Sequence, residues 1–249
     1  MRAALTTDLD IIALEDVSAR AWPALHTARL GGWRLNASTG HTGRANTCWA
    51  LEAPDRPVED AIAATEAWYE SHGLPPKFKT VDGATAPPDL PARLIAHGYA
   101  PNTETCVMVG PVGGSKEGVT LLAAPDEGFL AVMFEALYRD AADARERIET
   151  LARIAPPMFF ARLDVDGEPA AIGACAIGDG WGGVSVMRTS PKHRRKGLAA
   201  RIVSALLGAA ADAGATRSYL QVEAANVTAI ALYGKLSFRT AYRYRYWAR

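Results

Sequence analysis

A glycine-rich segment near the middle of the chain constrains its organisation more than any other feature. From Gly110 to Gly118 it reads Gly-Pro-Val-Gly-Gly-Ser-Lys-Glu-Gly, and apolar, strand-like residues flank it on both sides. Glycine and proline at this density interrupt helices and strands, which is typical of a linker. We therefore predict two domains of similar size, residues 1–110 and 119–249, joined by residues 111–118.

Length and charge limit the classes of protein that fit. The chain has 249 residues, 49% of them hydrophobic, which is enough for one large core or two smaller ones. Lys+Arg and Asp+Glu number 27 each, so the charge balance gives no argument for nucleic acid or an anionic membrane as partner. No apolar run is as long as a membrane span, and the N-terminus lacks the apolar core of a signal peptide. We expect a cytoplasmic protein.

The three cysteines, Cys48, Cys106 and Cys175, are far apart and odd in number. They show neither the paired spacing of metal ligands nor a disulfide framework. Because free cysteine often packs as a small hydrophobic residue, we expect buried thiols and no metal site.

Hydrophobic periodicity predicts helices and strands in alternation. In the first half, we expect helices at 9–30, 55–69 and 90–96 and strands at 33–37, 45–51, 78–81 and 104–109. In the second half, we expect strands at 119–122, 159–165, 170–177, 183–188, 219–223 and 238–247 and helices at 127–138, 143–154, 198–213 and 227–236. Both halves end in the order strand, helix, short strand, short helix, strand. Helices interleaved with a mixed sheet predict an α/β or α+β fold.

The loop after the expected strand at 183–188 is basic and ends at one glycine. Pro191 turns the chain, three cations follow at 194–196, and Gly197 immediately precedes a long helix. A helix N-terminus offers unpaired backbone N–H groups and partial positive charge, and glycine permits close approach of a ligand. The loop suits a pyrophosphate. On its own it fits a solvated basic turn equally well.

Two segments here resemble motifs of the GNAT acetyltransferase superfamily. Arg194-x-x-Gly-x-Ala199 is similar to its pyrophosphate-binding motif, Gln/Arg-x-x-Gly-x-Gly/Ala, which lies between the fourth strand and third helix. The segment from Asn226 to Phe238 is similar to its second signature, Asn-x-x-Ala-x-x-Leu-Tyr-x-x-x-Gly-Phe. Ser237 stands where that signature has glycine, so we expect slight strain in the turn that ends the helix.

The resemblance covers 119–247 and implies a fold in which a mixed sheet is splayed into a V between its fourth and fifth strands. Acyl-CoA, expected to be acetyl-CoA, would enter the V from one side and the acceptor amine from the other. By this resemblance the pantetheine arm pairs with backbone groups of one strand, and the loop N–H groups hold the pyrophosphate. The implied cofactor-binding residues are Val186, Met187, Arg194, Arg195, Lys196, Gly197, Leu198, Ala199 and Asn226.

Acyl transfer requires attack by a neutral amine on the thioester and departure of a thiolate. The resemblance places Tyr233 near the thioester sulfur, where a phenol can protonate the leaving thiolate; packing is its alternative role. An N–H from strand 183–188 is expected to stabilise the oxyanion. Glu223 is the candidate base, although a carboxylate before a helix is equally explained by the helix dipole. His193 is expected to be a loop residue.

The first half resembles a degenerate copy of the same fold. Its counterpart of the phosphate loop, 51–57, has no glycine, two acids and two prolines. Carboxylates repel phosphate and proline has no N–H, so we expect this half to bind no CoA. It would cover the active half or shape the acceptor pocket. Residues 31–34 and 42–46 are candidates for facing that pocket or for hairpin and packing positions, and we favour the second interpretation.

The leading prediction is transfer of an acetyl group from acetyl-CoA to a primary amine of a small molecule or a protein. The alternative is a non-catalytic acyl-CoA-binding or regulatory module, against which Tyr233 argues. A purely structural domain is a third hypothesis, against which the basic loop argues. The alternation of Tyr242, Tyr244 and Tyr246 with arginines predicts a half-buried strand, whose tyrosines are candidates for lining the acceptor cleft.

Overall fold

The computed structural model describes residues 9–136, 141–155 and 157–249. The helices are α1 (Ile11–Arg20), α2 (Val58–Ser71), α3 (Leu90–Ala96), α4 (Glu127–Ala136), α5 (Ala141–Arg153), α6 (Leu198–Asp212) and α7 (Val227–Lys235). The strands are β1 (His26–Leu30), β2 (Trp33–Ala37), β3 (Cys48–Ala50), β4 (Phe78–Val81), β5 (Ala100–Gly110), β6 (Thr120–Leu122), β7 (Met158–Val165), β8 (Glu168–Gly178), β9 (Trp181–Thr189), β10 (Arg217–Glu223) and β11 (Arg239–Ala248). The predicted mixed α/β class is confirmed.

The chain forms two compact units. Unit 1 comprises the residues up to Val107 together with Glu223–Ala225 and Ala241–Arg249. Unit 2 comprises Met108–Val222 and Asn226–Thr240. The chain therefore returns to unit 1 with its last strand.

In unit 1, strands are ordered β1-β2-β3-β4-β11. The pairs β1–β2, β2–β3 and β4–β11 are antiparallel, and β3–β4 is parallel. The core lies between this sheet and α2, where Trp33, Leu35, Ile62, Tyr69 and Phe78 have no exposed surface. Burying aromatic and aliphatic side chains of this size is the main source of stability for such a unit.

The helix predicted for 9–30 is confirmed only over Ile11–Arg20, and its second half is wrong. Asp10 caps α1 through a hydrogen bond from the Ala13 N–H to its side chain (2.9 Å), and the helix already ends at Arg20. Pro23 follows closely and is incompatible with a helix interior. The residues of β1 instead pair with β2 across a turn in which Gly31 has a φ of 58°. Cross-strand pairing thus prevails over local periodicity.

In unit 2, strands are ordered β10-β9-β8-β7-β6. Only β9–β10 is parallel among them. Helix α6 buries the side chains of Ile202 and Leu206 completely, as its sequence stripe predicts. Elsewhere in unit 2, the rings of Phe129 and Phe160 pack edge to face, with their centroids 5.4 Å apart.

The segment predicted as a linker, 111–118, lies along α6. The Gly113 N–H donates to the carbonyl of Leu207 at 2.9 Å. A Cβ on Gly114 would lie 2.5 Å from the carbonyl oxygen of Ser204, so only glycine fits that approach. These contacts fix the segment to the second unit.

The predicted order of elements recurs. It reads β3, α2, β4, α3, β5 in the first half and β9, α6, β10, α7, β11 in the second. All three cysteines are free and buried, as expected, and burial raises the pKa of Cys175 to about 12. Within the described ranges, no helix is long and apolar enough to cross a membrane. Among the same residues, no group of three His, Cys, Asp or Glu side chains is placed to hold a metal ion.

Candidate functional site

The sheet of unit 2 opens between β9 and β10. Over the described residues, their parallel pairing runs from Trp181↔Arg217 to Val184↔Leu220 and no further. The C-terminal part of β9 therefore presents backbone groups that β10 does not bind. The predicted opening between these two strands is present.

A β-bulge lies at the start of this unpaired part of β9. In the pairing with β8, Ile172 faces Arg188 and Ala174 faces Ser185, so Gly173 lies opposite two residues. Those residues are Val186 and Met187, and Val186 has a φ of 55°. Bulges of this kind re-aim a strand next to active sites.

The packing around Gly173, opposite the bulge, leaves no room for a side chain. A Cβ at that position would lie 2.5 Å from the sulfur of Met187 and 2.7 Å from Cγ2 of Ile202. The sequence reasoning missed Gly173, because nothing local distinguishes it from other glycines in strands. Its requirement arises only when α6 packs on β8.

One of the predicted pantetheine-binding groups already has a partner within the protein. Nη1 of Arg188 donates to the carbonyl oxygen of Met187 at 2.9 Å. Burial lowers the pKa of Arg188 from its ordinary value. A ligand that pairs with the Met187 carbonyl would therefore displace a half-buried guanidinium, or share the oxygen with it.

The basic loop forms a cradle of backbone donors. A 3-10 turn at Pro191–His193 is followed by Arg195 with a φ of 61° and Gly197 with a φ of 76°, after which α6 begins. Among the described residues, the backbone N–H groups of Arg195–Ala199 find no acceptor. A Cβ on Gly197 would meet nothing within 4 Å, so the space in front of the loop is open.

The loop side chains add positive charge. Arg194, Arg195 and Lys196 are exposed, and Nζ of Lys196 lies 3.3 Å from Nδ1 of His193. Since an ammonium is only a donor, Nδ1 of His193 is the acceptor in this contact. Nε2 is buried without a partner in the described structure. The buried side chain of His193 therefore supports the loop through its contact with Lys196. Free N–H groups and cations at a helix N-terminus fit the chemistry of a pyrophosphate.

Asn226 begins α7. Its side-chain oxygen accepts a hydrogen bond from the Ala229 N–H at 3.1 Å, which is an N-cap. The side-chain oxygen is thus used by the helix, and the exposed side-chain NH₂ group remains for a ligand.

Tyr233 lies on α7 with its ring 6.2 Å from that of Phe238. Burial raises the pKa of the Tyr233 phenol, and the nearby Arg188 cation opposes that shift. Among the described residues its hydroxyl has no hydrogen-bond partner. The phenol is therefore protonated at neutral pH and free to donate, as a general acid must be.

The turn after α7 has the strain expected from the sequence. Ser237 has a φ of 67°, a left-handed conformation that favours glycine. The Ser237 N–H donates to the carbonyl of Gly234 (3.1 Å) and the Phe238 N–H to that of Tyr233 (3.0 Å). These bonds hold the left-handed residue in place.

Glu223 is exposed and is the last residue of β10. It clusters with unit 1, whereas Tyr233 clusters with unit 2. Its role as a base stays a prediction.

The tyrosine hydroxyls of β11 contact other side chains of unit 1. The Tyr242 hydroxyl donates to Glu15 at 2.8 Å, and the Tyr246 hydroxyl lies 3.4 Å from that of Tyr244. Glu15 also forms a buried ion pair with Lys79. The sequence reasoning missed this pair, because one lysine in a short apolar strand carries no signal of its partner.

The counterpart of the phosphate loop in unit 1 is packed against a turn of its own chain. The Gly32 N–H donates to the carbonyl of Ala53 at 2.8 Å, and a Cβ on Gly31 would lie 2.4 Å from the backbone nitrogen of Asp55. Beyond β3, the Ala86 N–H donates to the Ala50 carbonyl at 3.1 Å. The packing role expected for 31–34 fits these contacts.

Comparison with known sequences gives one family for nearly the whole chain. A family model described as "Probable histone acetyltransferase Rv0428c C-terminal" matches residues 8–247. The probable histone acetyltransferase Rv0428c of Mycobacterium tuberculosis is 32% identical over 237 residues, covering 95% of this chain and 73% of that protein. The uncharacterized N-acetyltransferase YobR of Bacillus subtilis is 28% identical over 246 residues, covering 95% of this chain and 98% of that protein.

Solved structures show the same fold at low identity. A GCN5-related N-acetyltransferase from Kribbella flavida aligns with a TM-score of 0.70 at 18% identity, covering 95% of this chain and 93% of that one. A tandem GNAT protein from the clavulanic acid biosynthesis pathway aligns with a TM-score of 0.63 at 15% identity, covering 95% and 87%. Both relatives span the two halves of this chain.

Proposed function

Because the chain belongs to the GNAT superfamily, in the family of the Rv0428c C-terminal region, we propose that this acetyltransferase uses acetyl-CoA to acetylate a primary amine by direct attack. Family membership implies an acyl-CoA cosubstrate and an amine acceptor. The acetyl group and the primary amine are the finer part of the proposal. The observation that carries it is the run of unpaired N–H groups at Arg195–Ala199, next to the opening between β9 and β10.

In this proposal the loop holds the pyrophosphate. The N–H groups of Arg195–Ala199 donate to its oxygens, and the exposed side chains of Arg194, Arg195 and Lys196 add attraction that salt would screen. Gly197 provides the left-handed turn and the open space that a bulky ligand group needs. Each charge-assisted hydrogen bond of this kind is worth roughly 1.5–3 kcal/mol.

The pantetheine arm is proposed to lie along the unpaired part of β9. Val186 and Met187 would offer backbone groups in the manner of an added strand, and Asn226 would contribute its side-chain NH₂ group. Without a ligand, Arg188 donates a hydrogen bond to the Met187 carbonyl on this edge of the strand, and the pantetheine arm would replace that bond.

Three groups of this chain are proposed to carry the chemistry. An N–H of β9 stabilises the oxyanion, and Tyr233 gives its phenolic proton to the leaving thiolate. Glu223 is the candidate that takes a proton from the acceptor ammonium. Bringing both reactants into line supplies the remainder of the rate enhancement.

The acceptor class has two candidates. A protein amino group is supported by the name of the 32% identical relative, a probable histone acetyltransferase. A small-molecule amine fits the same reaction. The net charge of the chain is zero and favours neither.

The test is steady release of free thiol from acetyl-CoA with a panel of amines and histone peptides. We expect turnover that depends on one class of acceptor. Binding of CoA without turnover for any acceptor would favour a non-catalytic acyl-CoA-binding module. Absence of both CoA binding and turnover would favour the hypothesis of a purely structural domain.

A further inference from the structure

Unit 1 contains a cavity of about 570 Å³ between α1 and the hairpin of β1 and β2. This volume lies in the range of small-molecule sites. Six lining residues are polar or charged, and the other four are alanines and a proline. The polar set is Asp16, Arg20, Thr27, Arg29, Arg34 and Asn36.

Two of the arginines are direct cross-strand partners. Arg29 of β1 pairs with Arg34 of β2 in the antiparallel register, and both line the same cavity. Like charges directly opposite each other on one face of a sheet destabilise it. An anion bound between the two guanidinium groups would reverse this repulsion.

The cavity retains positive charge after its internal pairing. Arg34 contacts the carboxylate of Asp16 and lies over the ring of Trp49, with Cζ 5.9 Å from its centroid. Arg34 is thus held in place, and its side chain is 17% exposed. Arg29, by contrast, is exposed and has no ion pair or hydrogen bond from its side chain to any described residue.

The floor of the cavity is fixed. Asn36 is only 4% exposed, and its Nδ2 donates to the carbonyl of Thr47 at 3.3 Å. The apolar part of the lining is made of small side chains, from Ala19 of α1, Ala28 of β1 and the loop residues Pro23 and Ala24. The space therefore suits a compact ligand with an apolar body and one anionic group.

We propose that this cavity binds a small organic anion, whose carboxylate or phosphate oxygens are held between Arg29 and Arg34. Guanidinium groups are the side chains best suited to such oxygens, because they donate two parallel hydrogen bonds. The site is built within unit 1, so it stands whether or not the acetyl-transfer proposal holds.

Calorimetric titration with succinate and with inorganic phosphate, at constant ionic strength set by chloride, tests the proposal. We expect saturable binding of at least one probe, and the two probes distinguish a carboxylate from a phosphate ligand. Arg29→Gln should weaken binding at least tenfold, whereas Arg56→Gln, an exposed arginine of unit 1 outside the cavity, should not. Asp16→Asn should tighten binding several-fold, because it removes the only carboxylate in the described lining.

Thermal unfolding without added anion provides an independent readout. There Arg29→Gln should raise the unfolding temperature slightly, since it removes the repulsion between paired arginines. Binding of an anion by the loop at 194–196 would be unchanged in Arg29→Gln, so this variant distinguishes the cavity from the loop as the binding site. Lack of saturable binding for both probes, or equal affinity in Arg29→Gln and the unaltered protein, would overturn the proposal.

Discussion

Lys79 and Glu15 form an ion pair whose two side chains have no exposed surface. The Lys79 ammonium lies 3.7 Å from the ring centroid of Trp49 and 4.2 Å from that of Tyr244. Tyr242 donates a hydrogen bond to Glu15 at 2.8 Å. Burial lowers the pKa of Lys79, while Glu15 favours its charged form. Each charge in this cluster therefore depends on the other.

Removing one partner should be far worse than removing both. Lys79→Met leaves the Glu15 carboxylate buried without its cation, so we expect the free energy of unfolding to fall by about 3–5 kcal/mol. The double variant Lys79→Met with Glu15→Gln should recover most of that loss. Urea unfolding measures both, with the more exposed Lys77→Met as control. Equal stability of Lys79→Met and Lys77→Met would contradict the interpretation.

Tyr233→Phe keeps the ring against Phe238 and removes only the hydroxyl. If Tyr233 protonates the leaving thiolate, kcat should fall about a hundredfold, while CoA affinity and thermal stability stay near those of the unaltered protein. The loss should shrink with a synthetic thioester whose leaving thiol is already acidic. Near-normal kcat of this variant on acetyl-CoA would show that Tyr233 has a packing role and is not the general acid.

The pH profile gives that prediction a second readout. Because burial raises the pKa of Tyr233, the phenol stays protonated beyond its ordinary pKa of about 10. The alkaline fall in kcat that arises from loss of this proton should therefore lie above that pH, and it should be absent in Tyr233→Phe.

Gly197→Asp should abolish CoA binding without unfolding the protein. The added carboxylate repels the phosphates, and a Cβ at this position, although strained at φ 76°, would meet no neighbour within 4 Å. Gly214→Asp is a matched control at the other end of α6, with a φ of 86° and equally open surroundings. Calorimetry should show loss of CoA affinity in the first variant only. Equal CoA affinities in the two variants would show that the pyrophosphate binds elsewhere.

The chain should bind one CoA, not two. In unit 1 the loop at 51–57 is acidic, and the Gly31–Gly32 turn packs on its backbone. Calorimetric stoichiometry near one per chain is the expected result. A value near two would mean that this packed loop opens to admit a second ligand.

Ser237→Gly should stabilise the protein by roughly 1 kcal/mol, because a left-handed residue with a Cβ is strained and glycine is not. Differential scanning calorimetry should detect a higher unfolding temperature. Ser237→Ala keeps the Cβ and the φ of 67°, so it should give no gain. A gain in both variants would trace the effect to the hydroxyl.

Local patterns predicted the fold well where local forces decide it. The apolar periodicity of α6 is encoded within a few residues, and the helix lies where it was expected. The second half of the helix predicted for 9–30 was wrong because the pairing of β1 with β2 is not visible in periodicity.

The candidate site was predictable only in part, for the same reason. Motif spacing pointed to Gly197 and Tyr233. The need for Gly173 arises from the packing of α6 on β8, and Lys79 meets a partner 64 positions away in sequence. Contacts at such separations leave no pattern in one sequence.

The return of β11 to unit 1 has a consequence for how such a gene can be divided. The Trp247 indole donates to the Thr80 hydroxyl at 2.8 Å, and β11 pairs with β4 along its last residues. A single cut near residue 119 would deprive the first product of a strand and leave the second with an aromatic tail lacking its partners. Separate expression of the halves, or recombination that exchanges one of them, must therefore transfer β11 together with the first.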